Sequence, residues 1–309
     1  MTKKKNRIPL KGKMSNWGPF GESEGQWLIF TVGNPNEGHG LALPRMIDDL
    51  PPKYVAHRVE FRTGSRYVAH IPYTTDRVGD VAKDWAPSYL PMAQFVDKVG
   101  TFLQFHLKEL RELKLQADKV MIIVGHGGNA DLKHYTKDMK QQLGLKELKI
   151  ISTAGEQLFG EISNGLEKIA ERLIPNGTEE EVEEKAYWLF QLVTSGGHAS
   201  HMEHSIAAAM NVLDWDKLEE MNNVLEKDFE KGLENWPPIG GLGGFLIRNG
   251  EYTKALGTKK NDKYGLWHCL EGLKNIDNGK LHPIKEIGEL VLEKAIDYFS
   301  SIIKNSENN

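Results

Sequence analysis

The stretch Val120-Met-Ile-Ile-Val124-Gly125-His126-Gly127-Gly128-Asn129 decides how this chain is read. A short apolar, largely β-branched run stopped by glycine has the length and composition of a strand buried on both faces, as in a parallel sheet. Residues 130–143 then carry helical spacing, so a strand gives way to a helix with a histidine at the turn. In open α/β sheets ligands sit at that point. Glycines on either side of His126 let the backbone turn sharply and leave the imidazole uncovered, and Asn129 is placed to cap the helix. A packed histidine in a plain strand-to-helix turn has the same local sequence, so other parts of the chain must decide.

A second apolar run, Trp27 to Val32, also ends at glycine and opens Gly33-Asn34-Pro35-Asn36-Glu37-Gly38-His39-Gly40, with Asp48 nine residues past His39. Carboxylates and imidazoles beyond a strand end are the ligand types a divalent transition metal takes. Glu37 and His39 lie two apart, so in extended backbone their side chains leave on the same side. A third polar cluster, Ser195-Gly-Gly-His198-Ala-Ser-His201-Met-Glu203-His204-Ser205, joins a glycine-containing loop to the helix-prone residues 206–212. On a helix His201 shares a face with His204 and with Ser205. The cluster offers more candidates than one metal site could take from one segment, so some must be substrate contacts, supports or surface.

Between these clusters, residues 67–73 read as a strand stopped by Pro72, and 74–91 as a loop that could line a pocket with Asp76, Arg77, Asp80, Asp84 and Trp85. Residues 92–115 form an amphipathic helix that covers the sheet, with His106 on its surface, and 148–152 a further strand. The alternation is that of a parallel α/β sheet. The glutamate run within 176–185 marks an acidic helix start; its side chains point in different directions and form no metal site. Residues 236–245 are a glycine-rich connection without a phosphate-cradling context, read as a flexible loop or lid. The chain closes with an amphipathic helix over 284–303, and 304–309 should fray. With no internal repeat or low-complexity linker, one domain over 1–309, with a short disordered N-terminal tail and loop insertions, is expected.

At 309 residues the chain can bury a sizeable core. A net charge of −4 gives no global basic field, so nucleic acid and anionic membrane are not expected partners and a small molecule is. The single cysteine, Cys269, excludes an intramolecular disulfide framework and suits a reducing cytoplasm; it reads as a packed thiol rather than a nucleophile. The basic N-terminus is followed by no signal-like apolar segment, and no stretch has the length and apolarity of a membrane span. A cytoplasmic protein is expected.

Together the three clusters resemble the creatininase (creatinine amidohydrolase) family. That family shows Glu-Gln-His-Gly followed by Leu-Pro and an Asp, then Asn-Gly-His-Gly-Gly-Asn, then His-Ala-Gly-Glu-x-Glu-Thr-Ser. Here Pro44 and the separation from Glu37 to Asp48 fit, and the closing segment after Gly279 is similar too. The resemblance implies a three-layer α/β/α sandwich with a mostly parallel central sheet, often a homo-oligomer. It also implies two adjacent divalent metal ions, zinc first, with manganese or iron as alternatives. Carried over residue by residue, Glu37 and His126 would bind one ion, His39 and Glu203 the other, and Asp48 would bridge. His198, grouped with Glu203 as catalytic, would handle a proton or orient the substrate.

The departures lie elsewhere. Gly38 replaces the family's glutamine, Leu41-Ala42 its Pro-His, and His201 and His204 its first Glu and its Thr. The ligand positions survive and the substrate-facing ones do not, which points away from creatinine and makes His201, His204, Asp76 and Arg77 the candidate substrate contacts. The expected activity is hydrolysis by a metal-activated water at a carbonyl of a small, polar, cyclic substrate: a cyclic amide, lactam or formamide. The alternatives are carbon-carbon hydrolysis of a cyclic diketone such as a diketo-inositol (3-dehydro-scyllo-inosose-type) and a metal-stabilised, non-catalytic binding protein. A nicotinamide-dependent oxidoreductase lacks its glycine fingerprint.

Overall fold

A computed structural model describes residues 27–153, 156–195, 197–248 and 250–307; the N-terminal tail and residues 308–309 lie outside this range. Four strands, β1 (Trp27–Val32), β2 (Arg66–Ile71), β3 (Lys119–Val124) and β4 (Glu147–Ser152), form a parallel sheet in the order β2-β1-β3-β4. Between and after them come α1 (Leu50–Thr63), α2 (Met92–Glu112), α3 (Thr136–Gln142), α4 (Glu156–Ser163), α5 (Leu166–Leu173), α6 (Glu179–Thr194), α7 (His201–Ala209) and α8 (Trp215–Leu225). The chain ends with α9 (Phe229–Asn235), α10 (Ile239–Leu246), α11 (Glu251–Leu256), α12 (Leu266–Asn275) and α13 (Lys285–Glu307).

The two central strands are apolar on both sides because both sides are covered. Trp27, Ile29, Met121 and Ile123 pack with Val55 and Val59 of α1 and with Ile296 and Phe299 of α13. Leu28, Phe30, Val120 and Ile122 point the other way, onto Phe95, Val99 and Leu103 of α2 and Met139 of α3. Side chains alternate along a strand, so one run of residues feeds two cores. The result is the helix–sheet–helix sandwich expected, with each fully buried large side chain contributing roughly 1.5–3 kcal/mol.

This strand order places the site. The chain leaves β1 for β2 on one side, and β3 returns on the other side of β1. The connection after β1 leads to α1 on one face, whereas the one after β3 leads to α3 on the opposite face. The two loops diverge and open a crevice at the carboxyl ends of β1 and β3, the switch point where such sheets bind ligands.

The sequence-based elements hold in outline, with four differences. Residues 127–135 form 3-10 turns rather than the start of the α-helix, and Asn129 is buried instead of capping it. The glycine-rich segment 236–245 is not a lid: α10 is buried throughout, with Gly240, Gly241 and Leu242 in the left-handed region. A side chain at Gly244 would meet the Leu233 carbonyl at 2.3 Å, so these glycines serve close packing. Residues 304–307 continue α13 rather than fray. His106 packs its ring against Phe30 and Phe102, and burial lowers its pKa.

Gly33 and Gly125 follow paired residues, Val32 and Val124, at the ends of β1 and β3. A Cβ on either would stand 2.3 Å from the carbonyl oxygen of Asp48. Gly125→Ala should therefore push the Asp48 backbone out of the crevice and destabilise the fold by about 1–3 kcal/mol in urea denaturation. The control Gly127→Ala meets nothing within 4 Å and should leave the denaturation midpoint nearly unchanged.

Candidate metal centre

The crevice gathers carboxylates and imidazoles from all three sequence clusters. Glu37 and His39 come from the loop after β1, Asp48 from the 3-10 turn ahead of α1, His126 from the end of β3, His198 from the loop into α7, and Glu203 from the first turn of α7. Asp48 stands at the centre with its two oxygens facing different partners. Oδ2 is 2.9 Å from His126 Nδ1, which is itself 3.0 Å from Glu37 Oε2. Oδ1 is 3.4 Å from His39 Nε2, which is 3.8 Å from Glu203 Oε2. Glu37, Asp48 and His126 thus form one set with ligand atoms within 4.8 Å of each other, and His39, Asp48 and Glu203 a second. His198 forms a third set with Glu37 and His39.

Each of these side chains is held from behind. Asn34 Nδ2 donates to Glu37 Oε2 at 2.9 Å, and the Glu37 carbonyl lies 3.3 Å from His39 Nδ1, leaving Nε2 to face Asp48. The backbone N–H of Ala199 donates to Glu203 Oε2 at 2.6 Å, which bends that carboxylate back over the first turn of α7. Ala199 has a φ of 52°, a left-handed conformation for a non-glycine residue, at the turn that presents His198. His198 Nε2 donates to the Gly38 carbonyl at 2.8 Å, which turns Nδ1 towards Glu37 Oε1 at 3.7 Å. Asp76 Oδ2 is 3.8 Å from His126 Nε2, the ring nitrogen on the far side from Asp48.

Asn129 ties the scaffold together. Its Nδ2 donates to the Gly33 carbonyl at 2.8 Å, and its Oδ1 accepts from Thr75 N at 2.9 Å and Thr74 Oγ1 at 3.2 Å. One buried amide thereby joins the end of β1, the loop after β2 and the turn after β3. An asparagine after a strand reads locally as a cap, and the partners that make it a tie are far away in sequence.

Burial and charge set the electrostatics. Desolvation pushes the Glu37 carboxyl up to about 7, against the pull of His126. Burial works against charge on His39 and His126 as well, yet neighbouring carboxylates outweigh it: Asp48 and Glu203 raise His39, and Glu37 and Asp48 raise His126 well above the ordinary imidazole value. Asp48 is likewise held well below the carboxylate range by His39 and His126 despite its burial. A buried set of acids demands positive charge, supplied in the chain alone by protons. His39 Nε2 and Asp48 Oδ2 are buried without a well-directed hydrogen bond, and this donor set of nitrogens and carboxylate oxygens fits divalent transition ions.

A cavity of about 400 Å³ opens onto the cluster. Asp76 and Arg77, two of the candidate substrate contacts, line it, with Arg77 Nη2 held 3.0 Å from Asp131 Oδ1. His201 and His204 do not line it. His201 Nδ1 accepts from the backbone N–H of His282 at 2.9 Å, and its ring stacks on His282. His204 Nδ1 bonds the Ser200 carbonyl at 2.8 Å within its own helix. Burial drives their pKa values down to about 3 and about 4. Their expected role as substrate contacts thus finds no support in the geometry, because α7 turns only its Met202, Glu203 and Ile206 side to the cavity. Cys269 is packed beside Gly197, with its thiol pKa raised by burial.

Asn129→Ala would leave the Gly33 carbonyl and the Thr75 N–H buried without their partner. It should cost roughly 2–6 kcal/mol in denaturant unfolding, at about 1–3 kcal/mol for each of the two unsatisfied groups. Asn129→Asp, which keeps the acceptor for Thr75 and loses the donor to Gly33, should also be destabilised and should respond more strongly to pH than the alanine variant.

No family model matches the chain, and no curated protein matches it. Among solved structures it is similar to a manganese creatininase, at 15% identity and a TM-score of 0.49 over 92% of this chain and 91% of that one. A creatinine amidohydrolase (creatininase) gives 15% identity and a TM-score of 0.48 over the same shares. Values this low assign neither family nor activity, so the reading of the site rests on its own geometry.

Proposed function

We propose that the chain is a metal-dependent hydrolase that binds two divalent ions and cleaves an amide or lactam carbonyl of a small molecule. The observation that carries this reading is the split contact of Asp48, one oxygen towards His126 and Glu37 and the other towards His39 and Glu203, at a buried site. A carboxylate so placed would bridge two ions, with Glu37 and His126 holding one and His39 and Glu203 the other. Bound there, such ions polarise a carbonyl and lower the pKa of water. Zinc and manganese suit a mixed nitrogen and oxygen donor set.

The chain's own groups would supply proton transfer and orientation. His198, with Nε2–H fixed on the Gly38 carbonyl, keeps Nδ1 free to take a proton at the cluster and return it to the leaving nitrogen. The Asn34 side chain on Glu37 and the backbone ties on Glu203 and His198 hold these groups in place before substrate arrives, which limits reorganisation during the reaction. The carbon-carbon alternative on a hydroxyl-rich ring has less support, because His201 and His204, two of the polar contacts it would use, lie outside the cavity. Among the described residues no helix is long and apolar enough to cross a membrane.

Elemental analysis of protein purified without chelator should find near two divalent ions per chain. His126→Ala and Glu203→Ala should each lower that number, and Asp48→Ala should lower it most while reducing hydrolysis roughly 100-fold or more. A chain that binds no metal even after zinc or manganese is added would rule the proposal out. Cys269→Ser should leave turnover intact.

A further inference from the structure

Besides the cluster, the cavity is lined by a set of apolar side chains from three helices. Phe159 and Ile162 of α4, Met202 and Ile206 of α7, and Val291 and Ala295 of α13 make this wing of its wall. These side chains offer hydrocarbon and a thioether and no strong hydrogen-bonding group. A buried water needs two to four polar partners, so water in this wing is poorly held. Displacing poorly ordered water by an apolar group gains affinity, whereas unfilled apolar volume lowers the stability of the fold.

Resting on the metal-hydrolase reading, we infer that the substrate carries an apolar substituent, a branched alkyl or phenyl-sized group, that fills this wing while its carbonyl faces the cluster. The two ends thereby orient the molecule: Glu37, Asp48, His126 and His198 gather at the reacting end, and α4, α7 and α13 receive the apolar one. The wing makes the site select for hydrophobic carbonyl compounds over the compact, wholly polar rings that its charged residues alone would favour. Ala295 and Val291 stand on one face of α13, four residues apart, and neither belongs to the cluster, so lengthening either side chain would fill the wing from the helix side.

The test compares acetohydroxamate with phenylacetohydroxamate, two metal-directed probes that differ in apolar bulk, by calorimetry on the zinc-loaded chain. The phenyl probe should bind at least about ten-fold more tightly and with a more negative heat-capacity change. Ala295→Phe should abolish that advantage and leave acetohydroxamate binding unchanged. Val291→Phe serves the same purpose if the first variant does not fold. A second arm measures benzyl alcohol binding to the metal-free chain by thermal shift, with loss expected in the same variants. Equal affinity for the two hydroxamates, or an advantage that survives the filled cavity, would overturn the apolar wing. If neither hydroxamate binds but benzyl alcohol does, and Ala295→Phe removes it, the metal reading fails and the wing stands. If no probe binds in either arm, the wing is overturned.

Discussion

Asp48 is held at two levels, and the rest of the site depends on both. Its backbone carbonyl lies where any side chain at Gly33 or Gly125 would collide with it. Its carboxylate lies between His39 and His126, with the two oxygens divided between them. The first contact requires β1 and β3 to be adjacent, parallel and in register, so that both strands end in glycine at the same height. The second requires the loops beyond those glycines to return their histidines to a common centre. Sheet topology and site chemistry therefore meet in one residue.

Such a concentration of buried acids is costly unless it is neutralised, and the shifts of the individual groups show how the chain alone manages it. Glu37 rises to about 7 as burial disfavours its charge, while His39 and His126 are raised by the carboxylates beside them. Coulombic attraction outweighs desolvation for the histidines because the opposite charges are within about 4 Å in a medium of low dielectric. Divalent ions meet the same demand with more charge in less space, which makes the cluster coherent as a binding site and expensive as mere structure. The supports around it follow the same logic: Asn34, Ala199 N–H and the Gly38 carbonyl fix ring and carboxylate orientations that solvent would otherwise randomise.

The two ends of the cavity have different origins. The polar end comes from loops at strand ends, where residue types alone advertise their chemistry. The apolar end comes from helices α4, α7 and α13, whose inward faces look like ordinary core until their packing leaves a space between them. His201 and His204 illustrate the converse. Four polar candidates in one short segment suggested a substrate-facing group, yet only part of α7 turns to the cavity, and both rings are committed to backbone partners elsewhere.

By itself the sequence determined the strands, through β-branched runs stopped by glycine at Gly33 and Gly125, and the candidate ligands, through acids and histidines placed just beyond them. Those signals are local: a strand's burial shows in its composition, and a ligand's chemistry in its side chain. Tertiary structure alone decided that Asn129 would tie three segments rather than cap a helix, that α10 would be buried core rather than a lid, and that the cavity would have an apolar wing. Each of these depends on partners distant in the chain. Periodicity establishes that a helix has a face, but the direction of that face is set by whatever packs against it.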